Sequence, residues 1–246
     1  MNAFFYTGAS GLGAFQEHLN IIGNNLANSN TAGYKPTETR FENLLYREMY
    51  VNTETDPTEG VGVKAVDAGL NMTDGSLRQT NLPLDFALLG HGCFFAVERA
   101  EGDVYYTRDG QFQMVSVDDE YYLGTADGSF VLDQDGNRIV FELDDNDLPI
   151  TDGIQEQIGV YQFANPEALL PLASNLFAQT NQSGAPVSLV EEDGGYRLLT
   201  GSIELSGVSV ADEMTNMIIA QRGFQFSSRV VQVAQEVEDI VNNLRQ

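Results

Sequence analysis

Residue types that carry chemistry are scarce in this chain, which has two histidines (His18 and His91), one cysteine (Cys93) and no tryptophan. Gly90-His91-Gly92-Cys93 sets an imidazole near a thiol, the pairing that activates a nucleophilic cysteine when the base reaches the sulfur. Gly92 separates the two, and no second histidine stands near a carboxylate to orient the first. Gly8, Gly11 and Gly13 suggest a phosphate loop, but no strand precedes them and their spacing matches neither phosphate motif. Close helix packing at Gly8 explains them better. Asp133-Gln134-Asp135-Gly136-Asn137 and Asp144-Asp145-Asn146-Asp147 resemble calcium loops on the surface. The first lacks the glycine spacing and terminal glutamate of an EF-hand, and both read as acidic turns. Thirty-six carboxylates make a paired-acid site easy to imagine and impossible to assign. The expectation is a protein that is not an enzyme and holds no metal or cofactor.

Composition narrows the field further. Twelve Lys and Arg face thirty-six Asp and Glu across 246 residues, a formal charge of −24. Such a surface repels phosphate backbones and anionic membranes, so nucleic acid is not expected as a partner. With 42% apolar residues and fourteen Phe the chain can still bury a core. A single cysteine excludes an internal disulfide. No run of about eighteen apolar residues exists, so no bilayer span is expected, and the N-terminus does not look like a cleaved signal.

The charge is unevenly placed. Residues 1–35 hold Glu17 and Lys35 and are neutral; residues 206–246 hold five acids and three arginines, a net of −2. The remaining −22 lies between them. Like charges resist dense assembly and favour a solvated surface, so the ends are expected to pack and the middle to face water.

Both ends have helical periods. Phe5, Gly8, Leu12, Phe15, Leu19, Ile22 and Leu26 recur in steps of three and four, a heptad seam, and Pro36 forbids continuation. Ser209-Val210-Ala211-Asp212 has capping-box spacing, with Asp in place of the usual Glu or Gln. From there Val230, Val233, Val237, Ile240 and Leu244 repeat the seam, below a broader face of Met214, Met217, Ile218 and Phe224. Seams this narrow do not hold isolated helices in water. The helices pair within one chain, between copies, or both; periodicity alone leaves this open.

Between the helices the pattern shifts to short β-rich runs: Cys93–Val97, Val104–Thr107, Phe130–Leu132 and Arg138–Phe141. Asp109-Gly110, Asp127-Gly128 and Asp135-Gly136 read as tight turns. Residues 36–83 read as a connector with a short helical stretch near Phe41–Tyr50, and Leu169–Pro186 as a loop anchored by Leu176 and Phe177. The expected fold is α+β, a mainly antiparallel β domain (84–205) flanked in sequence by an N-terminal core helix (1–35) and a C-terminal one (206–246) that pair as a coiled-coil layer.

Three segments go beyond generic pattern. Ile21-Ile22-Gly23-Asn24-Asn25-Leu26-Ala27-Asn28-Ser29-Asn30-Thr31-Ala32-Gly33-Tyr34-Lys35 resembles the string that ends the N-terminal helix of flagellar rod and hook proteins. Leu84-Asp85-Phe86-Ala87-Leu88-Leu89-Gly90-His91-Gly92-Cys93-Phe94-Phe95, then Tyr106-Thr107-Arg108-Asp109-Gly110, resembles that family's β-domain motif. Glu204–Val210 with Met217–Phe224 is similar to its C-terminal helix. The chain departs from the family pattern at Gly207, where Asn is usual, and at Cys93, where an apolar aromatic is common. Asn24, Asn25, Leu26, Asn28, Gly33, Tyr34, Gly90, Gly92, Tyr106, Arg108 and Gly110 carry the signature.

The resemblance, to basal-body rod proteins of the FlgG/FlgF class, implies a structural subunit of the bacterial flagellum. Its terminal helices would line the core of a polymer that transmits torque from motor to hook. It implies passage through the flagellar export apparatus without a cleaved signal, and contact with itself and other axial proteins. The length favours a rod protein over a longer hook protein; Phe41–Tyr46, Gly60–Val63 and the Gln221-Arg222 helix look most like the distal rod, while the short chain and Pro83-Leu84-Asp85 would also suit the proximal rod. The assembly seam would be Leu12, Phe15, Leu19, Ile22 and Leu26 with Val230, Val233, Val237, Ile240 and Leu244. Outside the family, a monomeric β-rich binding module remains the rival, and a hydrolase lacks any convergent nucleophile and base.

Overall fold

The structure, a computed structural model, describes residues 3–48, 58–99, 101–117, 120–142, 150–151, 153–189 and 195–244. Its elements begin with helix α1 (Ala3–Ala27) and strands β1 (Thr37–Asn43), β2 (Tyr46–Glu48), β3 (Thr58–Gly60), β4 (Val63–Leu70) and β5 (Leu77–Gln79). Strands β6 (Phe86–Leu89), β7 (Cys93–Glu98), β8 (Val104–Thr107), β9 (Phe112–Val117), β10 (Glu120–Thr125) and β11 (Phe130–Val131) follow. After the four-residue helix α2 (Ile154–Gln157) come β12 (Val160–Gln162), β13 (Leu170–Pro171), β14 (Leu176–Ala178), β15 (Val187–Leu189), β16 (Arg197–Thr200) and β17 (Ser202–Glu204), then helix α3 (Val210–Asn243). The chain divides into two units: Met1–Ala27 with Thr37–Ala68 and Ser209–Gln246, and Asn28–Pro36 with Gly69–Val208.

The first unit is built on the pairing of α1 with α3. A methyl group added at Gly8 would come within 2.9 Å of Val231 Cγ2, one at Gly11 within 2.9 Å of Ser227 Oγ, and one at Gly223 would collide with the Phe15 ring. Residue numbers rise along one helix as they fall along the other, so the pair is antiparallel. The covered positions of α3 include Glu213, Met217, Ala220, Phe224, Ser227, Val231 and Ala234, which follow in steps of four and three, with Gly223, Ser228 and Val230 beside them. Small residues at the closest points let the backbones approach. At the start of α3 the Ser209 hydroxyl accepts the Asp212 amide at 3.4 Å, and Asp212 and Glu213 face the positive end of the helix dipole. Strand β1 pairs with β4 and packs on α1, where the Phe41 ring meets Phe15 at 5.3 Å.

The second unit centres on β7. Its run Cys93-Phe94-Phe95-Ala96-Val97 is apolar throughout because both of its faces are covered. Cys93, Phe95 and Val97 point into one core with Phe86, Leu88, Phe112, Leu123 and Val160. Phe94 and Ala96 point into another with Leu70, Tyr106, Phe163, Leu169 and Phe177, where the rings of Phe94 and Phe177 meet edge to face at 5.5 Å. Strand β7 pairs antiparallel with β8 on one side, and with β11 and β12 on the other. The sheet order is β13-β14-β8-β7-β11-β10-β9, with β15 added through β12. Two further pairs, β16 with β6 and β17 with β5, bring residues 197–204 back onto residues 77–89.

The α+β class and the paired terminal helices agree with the sequence pattern. Three local expectations are corrected. The helical stretch near Phe41–Tyr50 is instead the end of β1 and strand β2: Thr37-Glu38-Thr39-Arg40 alternates half-buried and exposed side chains with period two, and Thr favours that geometry. Residues 49 and 50 lie outside the described residues. Asp109-Gly110 does not close a hairpin, since β8 and β9 are not paired; a side chain at Gly110 would strike the Phe86 carbonyl. Leu169–Pro186 is not a loop throughout, because Leu176 and Phe177 form β14 beside β8. Asp127-Gly128 and Asp135-Gly136 do make turns, with both glycines at positive φ. Asp144–Asp147 lies outside the described residues.

Candidate functional site

In the helical unit the seam residues fall into two groups. Leu12, Phe15, Leu19 and Leu26 are half-buried and Ile22 fully buried; Val230 is half-covered, its Cγ1 lying against Gly8. Val233, Val237, Ile240 and Leu244 are 46–81% exposed, Val233 on a side of α3 turned from α1 and the other three past the level that the described residues of α1 reach. They continue upward through Phe226 and Ile218, which are also exposed. The helix therefore carries a face against α1, with Ala220, Gly223 and Ser227 among its covered residues, and an aliphatic run that is exposed in the single chain.

Asn25 joins three elements of this unit. Its side chain is fully enclosed, its Nδ2 donates to the Thr37 carbonyl at 3.0 Å and to Glu213 Oε1 at 2.8 Å, and its Oδ1 accepts the Thr37 amide at 3.1 Å. One amide thus fixes β1 and the first turn of α3 to α1, which only a side chain with both donor and acceptor can do. Beside it, Glu17, Ile21, Asn24, Thr37, Ala65 and Asp67 line a pocket of about 430 Å³. His18 packs edge to face on Phe41, and burial pulls its imidazole below its ordinary value against the upward pull of Glu213.

In the β unit Lys35, Arg108 and Glu204 are sealed from solvent, and Asp74 joins them from the exposed edge of the cluster. Lys35 Nζ lies 2.7 Å from Glu204 Oε1 and donates to the Thr73 carbonyl at 2.8 Å. Arg108 donates to the carbonyls of Leu88 and Gly90 at 2.7 Å and to Asp74 Oδ1 at 2.8 Å, and its Nη1 stands 3.7 Å from Glu204 Oε2. The Gly75 amide also donates to Glu204 Oε1, at 2.7 Å. Two cations meet two carboxylates, so the cluster is neutral. Burial, then the nearby Arg108, pulls the Lys35 ammonium down, while Glu204 and Asp74 hold its charge in place. The cluster ties the segment after α1, the loop at 73–75, the end of β6, the end of β8 and β17 together.

Several signature residues serve this cluster. Gly33 has φ +64° and donates its amide to the Glu204 carbonyl at 2.9 Å; a Cβ there would lie 2.5 Å from the Arg108 carbonyl carbon. Only glycine meets both demands. The Tyr34 carbonyl accepts the Gly207 amide at 2.9 Å. Asn28 closes the turn after α1, accepting Thr31 through its backbone and its side chain. Tyr106 is buried in the second core, its hydroxyl pushed up to about 12 by burial and then by Tyr161. Lys35, Asp74 and Glu204 were not expected at a site. The available signal was weak: Lys35 is the one cation among residues 1–35.

The nucleophile considered at Cys93 is not assembled. The Cys93 sulfur donates to the His91 carbonyl, not to its imidazole, and burial pushes the thiol up. Asp133 Oδ1 is occupied by the amides of Asp135 and Asn137, both at 2.8 Å, which closes the turn. Among the described residues no three His, Cys, Asp or Glu side chains are placed to hold a metal ion, and no helix is long and apolar enough to cross a membrane.

Comparison with known proteins agrees with this arrangement of parts. Residues 5–35 match the family "Flagella basal body rod protein", residues 87–158 the "Flagellar hook protein FlgE/F/G D1 domain", and residues 199–244 the "Flagellar basal body rod FlgEFG protein C-terminal". The chain is 32% identical to the flagellar basal-body rod protein FlgG of Borreliella burgdorferi, over 98% of this chain and 97% of that protein. It is 33% identical to FlgG of Bacillus subtilis, over 96% and 97%, and 28% identical to the flagellar hook-basal body complex protein FlhP of the same organism, over 97% and 98%. The chain belongs to the FlgG type of flagellar basal-body rod proteins, a structural, non-enzymatic family of the bacterial flagellum.

Proposed function

We propose that this protein is a subunit of the distal rod, that it polymerises through its terminal helices, and that the polymer carries torque from motor to hook. The observation that supports polymerisation is the exposed aliphatic run of α3: Ile218, Phe226 and Val233 lie away from α1, and Val237, Ile240 and Leu244 carry the run past the level that the described residues of α1 reach. Burying one such side chain contributes ~1.5–3 kcal/mol, so a neighbour placed on this stripe gains enough to offset the ordering of helix ends. The near-neutral ends and the −22 of the middle fit the same reading, since only the ends can crowd together without repulsion.

The resemblance favours the distal class, with neighbouring axial proteins and the flagellar export apparatus as partners. A chain whose helices complete their order on assembly is suited to a narrow export channel. Sedimentation of the full-length protein over a concentration series tests the central point. Wild type should form a pelletable polymer, and Val237→Asp, which places a charge at a side chain 46% exposed in the single chain, should remain soluble with unchanged helix content. A Val237→Asp protein that polymerises like wild type removes the stripe from the interface. Immunogold labelling of isolated basal bodies tests distal placement.

A further inference from the structure

Two arginines stand inside the uncovered stripe of α3. Arg222 lies one turn after Ile218 and one turn before Phe226, and Arg229 lies between Phe226 and Val233. Steps of three and four place all five on one face. Both arginines are exposed and neither makes a hydrogen bond or ion pair among the described residues, whereas six other cations of this acidic chain already hold carboxylates. When the stripe is covered these guanidinium groups lose water, and a buried cation without a carboxylate is strongly unfavourable.

A place suited to receive them lies in the helical unit. Glu17 is the sole acid on α1, is exposed, and makes no hydrogen bond or ion pair among the described residues. It lines the 430 Å³ pocket together with Asp67 of β4. Carboxylates supplied by two elements suit a planar guanidinium with five donors, and Asn25, hydrogen-bonded to Thr37 and Glu213, lines the same pocket.

We propose that the pocket lined by Glu17 and Asp67 receives the guanidinium of Arg222 or Arg229 from a second copy of this chain. An apolar stripe supplies attraction without choosing a position along the helix; a single desolvated ion pair chooses it. The inference rests on the assembly reading and adds which residues set the register between copies.

Charge reversal in the full-length protein tests it. Glu17→Arg should raise the critical concentration for polymerisation by about tenfold or more, as should one of Arg222→Glu and Arg229→Glu. Combining Glu17→Arg with the effective arginine reversal should restore polymerisation to within about threefold of wild type. Monomer melting should not change, because both partners are exposed in the single chain. Glu17→Arg polymer formed at the wild-type concentration, or reversal with no compensating arginine, overturns the proposal. A wild-type chain that never polymerises overturns instead the assembly reading on which it stands.

Discussion

Lys35 and Glu204 stand 169 positions apart in sequence, yet their charged atoms meet at 2.7 Å with both side chains sealed from solvent. Glu204 also reaches Arg108, so removing it leaves two cations without their shared carboxylate. Glu204→Gln is expected to destabilise the β unit by ~3–5 kcal/mol in urea unfolding. Glu98→Gln provides the contrast. Its carboxylate is held low by a hydrogen bond from Arg138 at 2.6 Å, but that pair sits at the surface, and its loss should cost no more than ~1 kcal/mol. Equal losses for the two variants would contradict this account.

The contact between Gly223 and the Phe15 ring leaves no room for a methyl group. Gly223→Ala should destabilise the helix pair by ~1–3 kcal/mol in spite of alanine's better helix propensity. Adding Phe15→Leu should recover part of that loss. If Gly223→Ala raises helix stability, the close approach is wrong.

Asn25→Ala removes three hydrogen bonds and strands both backbone groups of Thr37. The expected cost is ~1–3 kcal/mol, read by far-UV circular dichroism of the helices. Asn25→Asp should recover only the acceptor half of the loss, since it also faces the Glu213 carboxylate.

His18 gives the helical unit a pH dependence. Burial depresses its folded value below the ordinary one near 6.5, so the unfolded chain binds the proton first as pH falls. The associated stability is complete above pH 6.5 and is lost as pH falls from there through the depressed folded value. Melting temperature should therefore drop between pH 7.5 and 5, and His18→Gln should flatten this part of the profile.

Cys93 is fully enclosed and its thiol is pushed up by burial, so iodoacetamide should not label it at pH 8 until the β unit opens. Labelling rate then reports opening of that unit, and Glu204→Gln should accelerate it about tenfold for each ~1.4 kcal/mol of stability lost. Rapid labelling of the folded wild type would place the thiol at the surface.

What could be read along the chain was whatever depends on neighbours a few residues away. The three-four periods of α1 and α3, the Ser209 cap, the apolar run of β7 and the Asp-Gly turns at 127 and 135 are of this kind, because helix and strand periods are local. Phe41–Tyr50 misled because Leu44, Leu45 and Tyr46 resemble part of a helical face, while pairing of β1 with β4 and β2 with β3 decides the geometry. Hydrophobicity could not say which stripe of α3 meets α1. Val233 is as apolar as any residue of the helix, yet it is Gly223, Ala220 and Ala234 that are covered alongside α1, where the Phe15 ring leaves no room for a side chain at Gly223. The enclosed charges were equally invisible. One lysine and one glutamate among thirty-six acids carry no spacing signal, and it is the return of β17 onto β5 that places Glu204 beside Lys35.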